Sequence, residues 1–190
     1  MSPRRHHILN LVLIGAALAG VTGCAASAEP PPQPTPTRTV ISPLFASNEE
    51  ALAAATAAYA AYLETSDLIL SEGGAEPERI RLVASRTFAD IEISGYDKVR
   101  AQGLHTIGTS GFDSVTMQQV DEKARDGVGI VVAYLCLDVS QTDVLYANGA
   151  SAVSAARPDR IPFEVTFDRS SSANSLIVAK QTVWSRGGVC

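Results

Sequence analysis

Apolar residues recur along this chain with two different periods, and the change between them falls near the middle. Leu52, Ala55, Tyr59, Tyr62 and Leu63 repeat at helical spacing in an alanine-rich stretch, which predicts a helix over residues 51–70. Just before it, Ser47-Asn48-Glu49-Glu50 reads as a capping box, with the Ser47 hydroxyl on the N3 amide and Glu50 reaching back. Gly73-Gly74 stops that helix. Pro77 suits the first position of a second, short helix over 78–84. A third helix is predicted over 87–102, with Phe88, Ile91, Tyr96 and Val99 on one face, a break near Ser94-Gly95 and an end at Gly103.

Beyond residue 104 the period becomes two. Residues 105–120, 129–139, 161–168 and 175–185 are rich in β-branched and aromatic side chains and read as four strands. The cleanest alternation sets Phe163, Val165 and Phe167 against Pro162, Glu164 and Thr166, a strand with one buried face. The segment 129–139 is apolar on both faces and is predicted to lie centrally in the sheet. Asp126-Gly127 and Asn148-Gly149 are hairpin turn signals. Helices followed by strands predict an α+β domain over residues 47–190, with the N-terminal helices packed on an antiparallel sheet of about four strands.

The first 46 residues follow neither period. A basic start, Arg4-Arg5-His6-His7, leads into an apolar stretch over residues 8–18 and then Gly20, Gly23 and Cys24, the order of a secretory signal peptide. The apolar stretch is too short to span a bilayer, which takes ~20 residues. Val21-Thr22-Gly23-Cys24 resembles the lipobox of bacterial lipoproteins. That resemblance implies removal of residues 1–23 and a diacylglyceryl group on Cys24, hence a membrane-anchored protein on the extracytoplasmic face of the cell membrane. Cleavage after Ala26-Ser27-Ala28 is the alternative, and it would release a soluble protein. Residues 24–46 hold six of the ten prolines, interleaved with Thr35, Thr37 and Thr39, and predict an extended tether that holds the domain away from the membrane.

Charge narrows the list of partners. The chain carries 15 Lys plus Arg against 20 Asp plus Glu, a net charge of −5, without a basic cluster in its body, so nucleic acid is excluded as a partner. Loss of residues 1–23 removes two arginines and no acid. An acidic domain is not held to an anionic membrane by charge, so a lipid anchor would have to do so.

Three cysteines remain to be placed. With Cys24 lipidated, Cys136 and Cys190 have only one possible pairing, and an exported pair is expected to oxidise. That bond closes a loop of about 55 residues, worth ~4 kcal/mol by chain entropy, and pins the C-terminal tail to the predicted central strand. No C-x-x-C spacing marks it as redox-active.

Candidate chemistry is sparse. Past residue 23 the only histidine is His105, and no His, Cys and carboxylate set has metal-ligand spacing. Gly108-Thr109-Ser110-Gly111 lacks the lysine of a phosphate loop, and no G-x-S-x-G elbow occurs. No cofactor is expected. Tyr59, Tyr62, Phe88, Tyr96, Tyr134 and Trp184 are candidates to line a pocket between helices and sheet, since aromatics with polar tips suit ligand contact.

The order of three helices and then about four long strands resembles the cone-shaped fold of nuclear-transport-factor-two-like and SnoaL-like proteins, and in particular small actinobacterial lipoproteins with such a domain. The resemblance rests on Tyr59, Tyr62, Leu63, Ser66-Asp67, Gly73-Gly74, Pro77-Glu78-Arg79, the 134–139 strand and Val183-Trp184-Ser185 with Cys190. It implies a curved sheet and a non-catalytic module that binds a small ligand or an envelope protein. In enzymes of this fold a pocket carboxylate or His works with a Tyr. The set available for that alternative, an isomerase or hydro-lyase, is Asp90, Tyr96 and His105.

Overall fold

The computed structural model describes residues 43–171 and 175–190. The expected signal peptide, Cys24 and the expected tether as far as residue 42 lie outside the described residues. The domain is α+β. Helix α1 (Asn48–Ser71) is followed by a 3-10 turn (Pro77–Leu82) and helix α2 (Arg86–Ala101), and then by six strands. These are β1 (His105–Ile107), β2 (Gly111–Val120), β3 (Val131–Asp138), β4 (Asp143–Leu145), β5 (Arg160–Arg169) and β6 (Leu176–Val183). Strands β2, β3, β5 and β6 form an antiparallel sheet in that order, while β1 and β4 pair separately.

Local signals set both helix starts. Ser47 Oγ accepts the N–H of Glu50 at 3.2 Å, while the Glu50 carboxylate turns back to accept the N–H of Ala46 at 2.6 Å. Ser85 caps α2 in the same way through the N–H of Phe88. Leu44 and Phe45, just ahead of α1, pack against the core, and the Phe45 N–H donates to Glu122.

Odd-numbered residues of β3 and β5 face the helices. Val131, Ala133, Leu135, Val165 and Phe167 are buried there against Ala51, Ala55, Tyr59 and Tyr62 of α1. Strand β3 pairs on both sides, as its two-sided apolar sequence requires. On the outer side Cys136, also buried, is bonded to Cys190 with Cα atoms 5.2 Å apart. Trp184 packs on Tyr134 in a tilted arrangement at 4.5 Å between ring centroids, so the residues after β6 form a strap over the outer face.

Three sequence expectations need correction. The predicted strand over 105–120 is divided, because Gly108 turns at φ +81° with its Cα close against Gln141, where a Cβ would lie 1.9 Å from the carbonyl oxygen. The break expected at Ser94-Gly95 does not occur: Gly95 has helical backbone and open space around it, while Tyr96 beside it is anchored in the core. The second helix is a 3-10 turn rather than an α-helix.

Candidate functional site

Tyr59, Tyr62 and Ser66 recur along the buried side of α1, and Phe88, Glu92 and Tyr96 recur every four residues along α2. The two rows meet. Tyr62 packs on Tyr59 and on Phe88 at 5.7 and 5.6 Å between ring centroids, and Tyr59 meets Phe112 of β2 edge-on at 4.9 Å. The helices thereby bring their polar tips to one carboxylate. Tyr62 Oη donates to Glu92 Oε2 at 2.9 Å, and Tyr96 Oη lies 3.2 Å from the same oxygen. Tyr96 Oη is also 2.9 Å from Ser66 Oγ. A carboxylate accepts only, so the single Tyr96 proton belongs to Glu92 and the Ser66 hydroxyl donates to Tyr96.

Burial, reinforced by the Glu92 charge, raises the ionisation of Tyr59 and Tyr62 well above the usual phenol range. Burial does the same for Tyr96, with Ser66 opposing and Glu92 assisting. All three hydroxyls therefore remain protonated donors at neutral pH. Tyr59 uses its proton on Gln181 Oε1 of β6 at 3.3 Å.

Glu92 and Gln181, held in this way from behind, line an open groove of about 510 Å³ between α2 and the sheet. Phe88, Ile91 and Phe163 supply its apolar wall, and Lys180 lies on the β6 side. Both phenols use Oε2 of Glu92, so Oε1 accepts no hydrogen bond from any described residue. An apolar cleft of this size with a few convergent polar groups is the usual form of a ligand site.

A second groove, of about 560 Å³, lies between α1 and the turn after β1, with Leu63, Leu68 and Phe112 on its apolar side. Of its two acids, Glu64 is exposed and Asp67 is already occupied. Asp67 Oδ2 accepts the N–H of Ser110 at 2.8 Å and Oδ1 accepts the Ser110 hydroxyl at 2.9 Å. The larger groove is therefore the poorer site chemically, and the α2/β6 groove is the candidate.

The residues singled out from sequence fall in different places. Tyr59, Tyr62 and Tyr96 are 1%, 5% and 3% exposed and support the groove through their hydroxyls, whereas Phe88 forms its wall. Trp184 and Tyr134 lie together on the outer face. Asp90, Tyr96 and His105 are not brought together: Asp90 pairs with Arg81 at 2.7 Å on the surface, and His105 pairs with Leu145 between β1 and β4. Glu92 and Gln181 are not among the residues that the sequence singled out. The signal for Glu92 was its position four residues from both Phe88 and Tyr96, on the apolar face of α2. Among the described residues no group of His, Cys and carboxylates has metal-binding geometry, and no helix is long and apolar enough to cross a membrane.

No family model and no curated protein matches the sequence. Solved structures do match in shape. The intermembrane space region of chloroplast protein ARC6 superimposes with a TM-score of 0.50 at 12% identity, over 70% of this chain and 95% of that one. Aln2 from a Streptomyces species gives a TM-score of 0.41 at 19% identity, over 72% of this chain and 90% of that one. At such identity the first likeness concerns the fold alone.

Proposed function

We propose that this protein is an extracytoplasmic lipoprotein, anchored through a diacylglyceryl group on Cys24, whose domain is a non-catalytic binding module of the cone-shaped, nuclear-transport-factor-two-like kind. Its binding site is the groove between α2 and β6. The observation that carries the reading is Glu92: a carboxylate braced by two buried phenols, with one oxygen left for a ligand inside an apolar cleft. Bracing of this kind pre-organises a polar contact and lowers the entropy lost on binding.

The anchor rests on the lipobox-like sequence ending at Cys24, and the Cys136–Cys190 bond suits an oxidising compartment. Labelled palmitate should enter the wild-type protein and not Cys24→Ala; equal labelling of the two refutes the anchor. For the groove, ligands that raise the melting temperature of the wild type should lose that effect in Glu92→Gln. A ligand set that stabilises both alike removes the site.

One observation favours a catalytic alternative, an isomerase or hydro-lyase of SnoaL type: a carboxylate and phenols share one cleft, the pairing that general acid–base chemistry uses. The phenolic protons are directed at Glu92 rather than into the cleft, which favours binding.

A further inference from the structure

Strand β6 ends the four-stranded sheet, so one of its edges has no partner strand. In the β5–β6 ladder Phe163 stands opposite Val183, and the Trp184 N–H donates to the Pro162 carbonyl at 2.8 Å. Antiparallel alternation therefore turns the backbone groups of Thr182 toward β5 and those of Gln181 and Val183 outward. Nearer the start of β6 the outer edge is occupied. Val178 donates its N–H to the Val83 carbonyl at 3.0 Å and accepts the N–H of Ser85 at 2.8 Å. Among the described residues nothing comparable covers Gln181 and Val183.

This bare length of edge runs beside the candidate groove. Ile91 and Val183 flank it at 62% and 60% exposure, large apolar side chains that the fold leaves in water. Glu92 contributes an unpaired carboxylate oxygen on the α2 side and forms no ion pair with Lys180 or any other described cation. Unpaired strand edges are templates for an added strand, with neighbouring pockets selecting alternate side chains.

We propose that the β6 edge and its groove take an extended polypeptide segment of a partner protein. The segment adds as a strand against the backbone of Gln181 and Val183. It places an apolar side chain among Phe88, Ile91 and Phe163, and a basic side chain on Glu92. The inference rests on the binding reading above and commits it to a polypeptide. A small molecule would leave the edge unpaired. A second copy paired edge to edge about a two-fold axis would bring two Glu92 carboxylates into one junction, a like-charge contact that disfavours it.

The test uses the full chain in detergent and a fluorescent seven-residue peptide alternating Val and Thr with a central Lys. Two N-methylated forms of the peptide block one or the other alternate set of backbone N–H groups. Methylation of the set that faces β6 should weaken binding at least tenfold, while methylation of the other set leaves it within twofold. Glu92→Gln should weaken the parent peptide at least fivefold, as should Val183→Pro, which deletes one outward N–H and leaves the β5–β6 ladder intact. Equal binding of both methylated forms overturns strand addition, and that readout needs no variant to fold. Binding that appears only when residues 25–42 are deleted assigns the edge to the chain's own tether and also overturns the proposal. If phenethylamine binds in a Glu92-dependent manner and the peptide does not, the polypeptide inference falls while the binding reading stands. If neither binds, both fall.

Discussion

The two faces of the four-stranded sheet solve the same problem with different chemistry. On the helix-facing side, Tyr59, Tyr62 and Tyr96 fill the core with ring area and send their hydroxyls to Gln181 and Glu92. Among the described residues no helix covers the outer side. There the C-terminal strap crosses the sheet, held by Cys136–Cys190 and by Trp184 on Tyr134, with the Arg186 guanidinium 5.1 Å from the Trp184 ring centroid. Farther along, Arg160 of β5 reaches Asp113 of β2 at 2.7 Å and Asp138 of β3 at 3.0 Å, an ion bridge over three strands. One face is stabilised by burial and leaves an opening; the other is stabilised by a covalent bond and surface charge.

The largest test of that contrast is the strap. Cys190→Ser, or reduction of the wild type, should lower unfolding stability by about 4 kcal/mol and raise the denaturant m-value, since the bond acts mainly on the unfolded chain. Urea melts with and without reductant measure both. An unchanged midpoint would mean that the outer face holds without its bond.

On the helix-facing side, Tyr62→Phe should cost about 1–2 kcal/mol, because Glu92 loses one of two donors in a partly buried site. A double-mutant cycle with Glu92→Gln should return a coupling of at least about 0.5 kcal/mol. The same tyrosines set an alkaline limit. Their folded ionisation lies above the unfolded value of about 10, so the stability they confer is complete below pH 10 and is lost as pH rises toward the folded values. Phenolate absorbance from these three residues should appear together with unfolding.

A smaller effect is expected at Gly95, on the open side of α2. Gly95→Ala should stabilise the domain by about 0.5–1 kcal/mol without altering groove binding, because its backbone is helical and nothing crowds the site. A loss of binding in that variant would show that α2 needs its glycine to shape the groove.

The smallest effect is on the outer face in acid. The Arg160 contact, followed by Ser114, lowers the ionisation of Asp113; the Ser140 contacts, followed by Arg160, lower that of Asp138. Depressed carboxylates contribute stability above their unfolded values of about 4 and lose it as pH falls through the folded ones. Arg160→Ala should therefore flatten the acid limb of the stability curve and shift Asp113 more than Asp138, as carboxyl NMR titration would record. The pair is exposed, so the change in stability is slight.

Much of the architecture was legible because it is written in local pattern. The Ser47 cap, the alternation of Phe163, Val165 and Phe167 and the two-sided apolar run of β3 each follow from neighbours in sequence, whereas the pairing of Cys136 with Cys190 follows from sequence only when Cys24 is assigned to a lipid. The division of 105–120 at Gly108 was not legible, since it depends on the backbone of Gln141 closing against the turn. Glu92 left only its spacing of four residues from Phe88 and from Tyr96; in other respects a carboxylate between Ile91 and Ile93 looks like any solvated helix residue.

By itself, then, the order of residues determined an α+β domain and the positions of most elements. Those follow from periodicity, which acts over a few residues. The groove was decided only by tertiary structure. Its polar contacts join residues 30 positions apart for Tyr62 and Glu92, and 122 apart for Tyr59 and Gln181. A hydrogen bond at such separation has no signature in either period; it exists because packing α1 against both α2 and the sheet carries buried hydroxyls to the acceptors that desolvation obliges them to find.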